Sequence, residues 1–311
     1  MPRPTHAHTD PVGATDRLAT TCVREADVVV VGGGAAGSTA ALVLARARHR
    51  VVLVDDRTYR NRTVAEFHGF PTRDATAPQR FLADAHDELR RYGVDVVRSH
   101  VVEARSADDG IRVRLADGSE IAAAYGVVGT GVRDVLPPIP GLAERWGRSA
   151  FNCPFCDGWE HRDRPVAVID AAPGAEHLAE LLRSWTHDVS VVAADEVVAV
   201  EGAGCTTERL VLRDGRAIAV AAVFVKAPVV PRSELARSLG CGLDADGYVL
   251  TDAQGRTTNP RIWAAGDVRR PVPAPHQVVL AAADGSAAGI AVHRAFVAER
   301  LGAGRGSGVR S

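Results

Sequence analysis

Net charge is almost absent: 37 basic and 38 acidic side chains leave a formal −1 over 311 residues. Nothing electrostatic therefore recruits nucleic acid or an anionic membrane, and small molecules or proteins are the expected partners. Long apolar runs are also missing. The run at residues 217–225 is nine residues long and stops at Lys226, well short of the ~20 that cross a bilayer. Residues 1–25 lack the apolar core of a signal peptide and read as a disordered polar tail, so a cytoplasmic protein is expected. Five cysteines, an odd number, build no disulfide framework. Cys22, Cys205 and Cys241 stand isolated, no second C-x-x-C or H-x-x-x-H accompanies the one close pair, and no metal site is expected.

That close pair is Cys153 and Cys156, in FNCPFCDGWE at residues 151–160. Two intervening residues let two sulfurs meet across a disulfide or around a metal, and in a reducing compartment such a pair is more often catalytic or metal-binding than structural. The segment 27–55, DVVVVGGGAAGSTAALVLARARHRVVLVD, is the second strong signal. An apolar strand runs into Gly32, Gly34 and Gly37 in G-x-G-x-x-G spacing, a helix of Ala and Leu follows, and a second apolar strand ends at Asp55. The glycines permit a tight turn, approach of the backbone to a pyrophosphate and close helix packing; the helix N-terminus favours the anion and Asp55 can accept from a ribose diol. This is a dinucleotide site, and by itself it suits NAD or FAD.

The far end decides between them. Residues 257–268, TTNPRIWAAGDV, closely resemble the second flavin motif of two-domain disulfide reductases, with Gly266 and Asp267 at the ribityl–pyrophosphate position and a helix starting near His276, Gln277 and Val278. VVGTG at 127–131, containing Thr130 and Gly131, is similar to the turn by which such flavoproteins leave the first domain. The resemblance implies FAD. Residues 113–131 also resemble residues 210–228, with Asp117-Gly118 and Asp214-Gly215 in the same place, which indicates two nucleotide-type lobes. After the tail, nearly the whole chain resembles the low-molecular-weight thioredoxin reductase family. The implied fold is α/β, with two Rossmann-like lobes: an FAD lobe at 26–135 and 246–311, and an inserted NADPH-type lobe at 136–245 that opens on the cysteine pair.

The inserted lobe departs from that family. Its nucleotide turn, after the strand 166–169, places Asp170, Ala172 and Ala175 at the motif positions, so two glycines are missing and a carboxylate stands where a pyrophosphate should rest. The next strand runs into Ala193, Ala194 and Asp195, where NADP-binding relatives carry basic residues. Here the chain resembles a narrower group, the FAD-dependent dithiol oxidases that close disulfides in gliotoxin, holomycin and romidepsin biosynthesis, through residues 153–160, Tyr59-Arg60-Asn61, His68-Gly69-Phe70 and His276-Gln277-Val278 with Asp284-Gly285.

That resemblance implies that Cys153 takes a small-molecule dithiol into a mixed disulfide, that Cys156 faces the flavin, and that dioxygen is the acceptor and hydrogen peroxide the product. Asp157 occupies the position of the family's acid/base, and His276 and His68 are further candidates beside the flavin. The implied cofactor contacts are Gly32, Gly33, Gly34, Ala35, Ala36, Gly37, Asp55, Asp56, Arg60, Asn61, His68, Val102, Thr130, Gly131, Gly266, Asp267, Gln277 and Val278. Phe155 and Trp159 read as packing residues, although their adjacency to sulfur permits a hydrophobic substrate wall; Cys205 and Cys241 read as inert. By analogy with the family a homodimer is expected, and the Ala/Arg-rich composition suggests a bacterial antibiotic pathway of the holomycin type. A disulfide reductase fed by NADPH or another donor, and a flavin redox sensor, are the rival readings.

Overall fold

Parallel strands built on apolar runs with charged residues towards their ends form the frame that carries the glycine turn. The computed structural model describes residues 23–269 and 275–306. β1 (Val23–Val31), α1 (Ala35–Arg46), β2 (Val51–Asp55), α2 (Pro78–Arg91) and β3 (Asp95–Arg98) make the expected parallel unit. β2 is buried at all five positions, the signature of a strand covered on both faces by helices. β4 (Val101–Ala107), β5 (Gly110–Leu115) and β6 (Glu120–Val128) follow as an antiparallel meander whose last strand returns parallel to β1, giving the order β3-β2-β1-β6-β5-β4.

The chain leaves this sheet along β7 (Val132–Asp134) and builds the second lobe from α3 (Leu142–Arg145), β8 (Ala150–Phe151), α4 (Pro154–Asp157), β9 (Val166–Asp170), α5 (Ala175–Leu182), β10 (Val189–Ala193), β11 (Val197–Glu201), β12 (Arg209–Leu212), β13 (Ala217–Ala219) and β14 (Ala222–Lys226). A parallel sheet in the order β10-β9-β14-β8 and an antiparallel sheet β11-β12-β13 pack around their own core of Ile139, Leu142, Leu210 and Val225. β15 (Val229–Pro231) then pairs antiparallel with β7, so the two crossings lie side by side. α6 (Glu234–Ser238), β16 (Ile262–Ala264), which pairs with the last residues of β6, and α7 (Val278–Gly306) complete the first lobe.

Two expected boundaries move. Residues 23–25, assigned to the tail, belong to β1, where Val23 pairs with Glu120; the rest of that tail, with Cys22, lies outside the described residues. The return crossing lies near residue 230, not 245, because Ala236, Leu239, Cys241 and Val249 are buried in the first lobe's core with Ile262. The internal repeat holds at its hairpin turns, with Gly118 at φ 83° and Gly215 at φ 84°. It fails beyond them: β6 is one continuous strand, whereas its counterpart breaks at residues 220–221 into β13 and β14, which serve different sheets.

α7 lies against α1 with little between them. A Cβ on Gly285 would stand 2.0 Å from the Ala36 carbonyl oxygen. Gly285→Ala should therefore cost about 1–3 kcal/mol despite the better helix propensity of alanine. Differential scanning calorimetry should show the melting midpoint falling by several degrees, and an unchanged midpoint would contradict the close α1–α7 approach.

Candidate active site

At the carboxyl end of β1 the chain enters a cavity of about 630 Å³, within the range of cofactor sites. Each glycine of the turn has a distinct task. Gly32 adopts φ 104°, and a Cβ there would sit 2.4 Å from the Gly129 carbonyl oxygen. A Cβ on Gly37 would lie 1.9 Å from the Gly32 carbonyl oxygen, so Gly37 closes helix onto strand and does not face the cavity. Gly34 has open space on its Cβ side. Gly33, Ala35, Ala36, Asp55, Asp56, Arg60, Asn61, Thr130, Gly131, Gly266, Asp267, His276, Gln277 and Val278 all line the cavity.

Asp55 is almost fully buried, and its carboxylate is largely committed to the protein. Oδ1 accepts from the backbone N–H of Gly33 at 3.3 Å and of Arg57 at 3.1 Å, while the Tyr59 hydroxyl donates to Oδ2. Three of its roughly four acceptor positions are used, so Asp55 holds the turn as much as it offers itself to a ribose. Burial, then the bond to Asp55, raises the Tyr59 pKa and keeps its proton on the phenol. Beneath the turn, buried His86 on α2 places Nε2 3.2 Å from the Gly33 carbonyl oxygen; a carbonyl only accepts, so Nε2 carries the hydrogen, and burial holds the ring neutral. Sequence reasoning missed His86, which lies in no motif.

Arg60 joins the cavity to the cysteine helix. It pairs with Asp134 on β7 through Nε at 3.0 Å and Nη2 at 2.6 Å, and its Nη1 donates to Nδ1 of His276 at 3.1 Å. Asn152, the neighbour of Cys153, donates to the same Asp134 at 3.4 Å. His276 thus lines the cavity beside Arg60, where the sequence places it.

Cys153 and Cys156 form a disulfide, with Cα atoms 5.3 Å apart. Pro154 opens α4 between them, a position that needs no backbone N–H. Asp157 ends α4, and its pKa is pushed up to about 7, first by burial and then by the Glu160 carboxylate, with His68 opposing. Of the other cysteines, Cys205 is exposed; Cys241 is buried against Thr257, and burial raises its thiol pKa.

Three expected cofactor contacts lie outside the cavity lining: Gly37, as above, His68 and Val102. His68 does not line the cavity: Asp74 accepts from Gly69 N–H at 2.9 Å and folds the loop back, which turns His68 towards Glu160 at 3.6 Å and Asp74 at 3.4 Å. Val102 is half-exposed, and Val101 lines the cavity in its place, the result of alternation along β4. In the second lobe, β9 ends at Asp170 and α5 begins at Ala175 after Gly174, at φ 104°, the one glycine of that turn. Lys226, in register with Asp170, reaches the same turn; its Cε would be 3.3 Å from a Cβ on Gly174.

Fold and site define an α/β oxidoreductase with a dinucleotide-type cavity and a disulfide-bonded cysteine pair; Cys153, Cys156 and Asp157 do not line the cavity, so Cys156 is not seen facing it, and the link to it runs through Asn152, Asp134 and Arg60. The pyridine nucleotide-disulphide oxidoreductase family model matches residues 26–201 and 184–285. The structure titled "Crystal structure of HlmI" is 38% identical, aligned over 89% of this chain and 94% of its own, with a TM-score of 0.83. A putative thioredoxin reductase, TrxB, from Bacillus anthracis is 29% identical over 88% and 99% of the two chains, also at 0.83. The thioredoxin reductase tcpT of Claviceps purpurea is 29% identical over 78% of this chain and 86% of its own. The match to a probable thioredoxin reductase of Arthroderma benhamiae, 37% identical, spans 46% of this chain and 37% of that protein.

The chain belongs to the pyridine nucleotide-disulphide oxidoreductase family and is thioredoxin reductase-like. The family cofactor is FAD, and the cavity fits it: an open glycine at Gly34, a twelve-residue helix starting at Ala35 and the acid Asp55 converge there.

A carboxyl raised from 3.8 to about 7 holds its proton in the folded protein across a window where the unfolded chain has lost it. Stability from this group is therefore present at low pH and is lost as pH rises from about 4 to 7. Asp157→Asn, neutral throughout, should melt a few degrees above the wild type near pH 8, and the gap should close towards about pH 4. A constant gap would show that Asp157 is not held protonated by its surroundings.

Proposed function

We propose that the protein is an FAD-dependent dithiol oxidase that closes a disulfide in a small natural-product dithiol. The observation that carries this reading is the second lobe's spoiled nucleotide turn. Asp170 ends β9 where an anionic pyrophosphate would lie, a single glycine remains, and β10 runs out into Ala193, Ala194 and Asp195, whose carbonyl oxygen accepts from the Arg213 guanidinium at 2.9 and 3.1 Å. Two unit charges ~4 Å apart at an effective dielectric near 20 repel by ~4 kcal/mol, about three orders of magnitude in affinity. Lys226 offsets part of this and favours the second reading, a disulfide reductase that still accepts NADPH. It leaves the missing glycines and the acidic end of β10 unanswered.

With electrons denied that entrance, the cysteine pair supplies one. A substrate thiolate attacks Cys153, breaking the Cys153–Cys156 bond and releasing the Cys156 thiolate. The substrate's second thiol, as thiolate, displaces Cys153 from the mixed disulfide and closes the product disulfide. Substrate loses two electrons and the cysteine pair gains them. Asp157, poised to gain or lose a proton near neutrality, takes the thiol proton and returns it to a cysteine. FAD, when bound, supplies the capacity to take two electrons from the dithiol pair and to pass them to dioxygen, which yields hydrogen peroxide. Arg60, Asp134 and Asn152 hold the cavity and the cysteine helix in one hydrogen-bonded frame while this happens. A cytoplasmic homodimer is proposed with it, and an antibiotic dithiol of the holomycin type as substrate.

Cys153→Ser and Cys156→Ser should each reduce dithiol-dependent peroxide release by at least ~10³-fold while the visible flavin absorbance of the purified protein stays unchanged. Turnover retained in either variant would contradict the mechanism.

A further inference from the structure

Phe155 and Trp159, read from sequence as packing residues, are 61% and 63% exposed, the two most exposed aromatic side chains among the described residues. Only 5% of the chain is aromatic, yet these two flank the disulfide: Phe155 lies between the cysteines and Trp159 three residues after Cys156. Neither is loose. Phe155 meets Trp185 edge-on with centroids 5.6 Å apart, and Trp185 packs onto Gly158, where a Cβ would be 3.0 Å from its ring. Trp159 carries the Arg162 guanidinium over its ring at 4.2 Å, while Arg162 Nη1 donates to the Trp159 carbonyl at 2.9 Å. Arg162 covers one face, so the exposure of Trp159 comes from the rest of its ring.

Leaving such rings in water forgoes ~25 cal/mol for each Å² of apolar surface, a cost that a ligand would remove. Aromatic side chains present ~150–250 Å² each, so two rings at these exposures offer on the order of 250 Å². A stable protein interface needs about 800 Å² per partner. The ridge therefore matches one face of a small molecule, not a second copy or a thioredoxin-like protein.

We propose that Phe155 and Trp159 form a substrate platform that stacks the flat, unsaturated ring of a small dithiol while its sulfurs meet the Cys153–Cys156 bond. The proposal rests on the dithiol oxidase reading for the identity of the ligand's reactive groups. Stacking selects the ring, and the cysteine pair selects the sulfurs. An open-chain dithiol gains only the second interaction.

The test is calorimetry on the FAD-loaded protein with two redox-inert probes, S,S-dimethyl toluene-3,4-dithiol and S,S-dimethyl dithiothreitol, against wild type, Phe155→Leu and Trp159→Leu. The aromatic probe should bind more tightly than the aliphatic one and weaken about tenfold in each variant, with the aliphatic probe changed less than twofold. Equal binding of the two probes, or equal loss in both, would overturn the platform whatever the turnover. Expected probe binding with no dithiol oxidised would leave the platform standing and sink the oxidase reading. Sedimentation showing that either variant loses self-association, or a variant that selectively loses oxidation of reduced thioredoxin, would assign these rings to a protein partner and overturn the proposal.

Discussion

Where β1, α1, the turn after β6 and α7 converge, backbones meet with no side chains between them. Cβ atoms at Gly32, Gly37 and Gly285 would each lie 1.9 to 2.4 Å from a carbonyl oxygen of the facing segment. Everything else in the first lobe is placed by that contact. It sets α1 close to the sheet, aims the helix N-terminus at the cavity and brings Gly33 onto Asp55, where Tyr59 and His86 lock the loop from either side. Close backbone packing at this point suits a dinucleotide site, because a turn that had to reorganise would spend binding energy on its own ordering.

The second lobe repeats the architecture without repeating the constraint. Its parallel sheet is as well buried as the first, yet its turn keeps one glycine and ends its first strand on Asp170. The packing that carries the cysteine helix is complete, while the turn has Asp170 and one glycine where the first lobe has three glycines. The link between the lobes runs through Arg60, Asp134 and Asn152, which tie the cavity wall to the residue before Cys153. A second link runs through His68, between Asp74 on the first lobe and Glu160 beside Asp157 on the second. Two polar links thus span the same gap.

The features readable in the sequence are those whose chemistry is local. A strand, three glycines, a helix and an acid within 29 residues specify β1, α1, β2 and the turn, and the cysteine spacing alone allows the disulfide. What the sequence hides depends on distant partners. His68 stands beside a glycine in a flavin-like stretch, but its direction is decided by Asp74 and by Glu160, ninety-two positions on. Val102 differs from Val101 by one step of strand alternation, which no composition reveals. The return crossing is not legible in the sequence because Ala236, Leu239 and Cys241 are too weakly patterned to announce which of two cores they join. Trp159 reads as a packing residue because tryptophan usually packs, and its exposure is visible only in the fold.

The central claim is the direction of electron flow, from thiol to flavin with no nicotinamide. Anaerobic spectrophotometry of the FAD-loaded protein tests it in one cuvette: addition of dithiothreitol in small excess should bleach the flavin, micromolar NADPH should not, and admission of air should restore the oxidised spectrum with hydrogen peroxide formed. Rapid bleaching by micromolar NADPH, with the dithiol inert, would contradict the account.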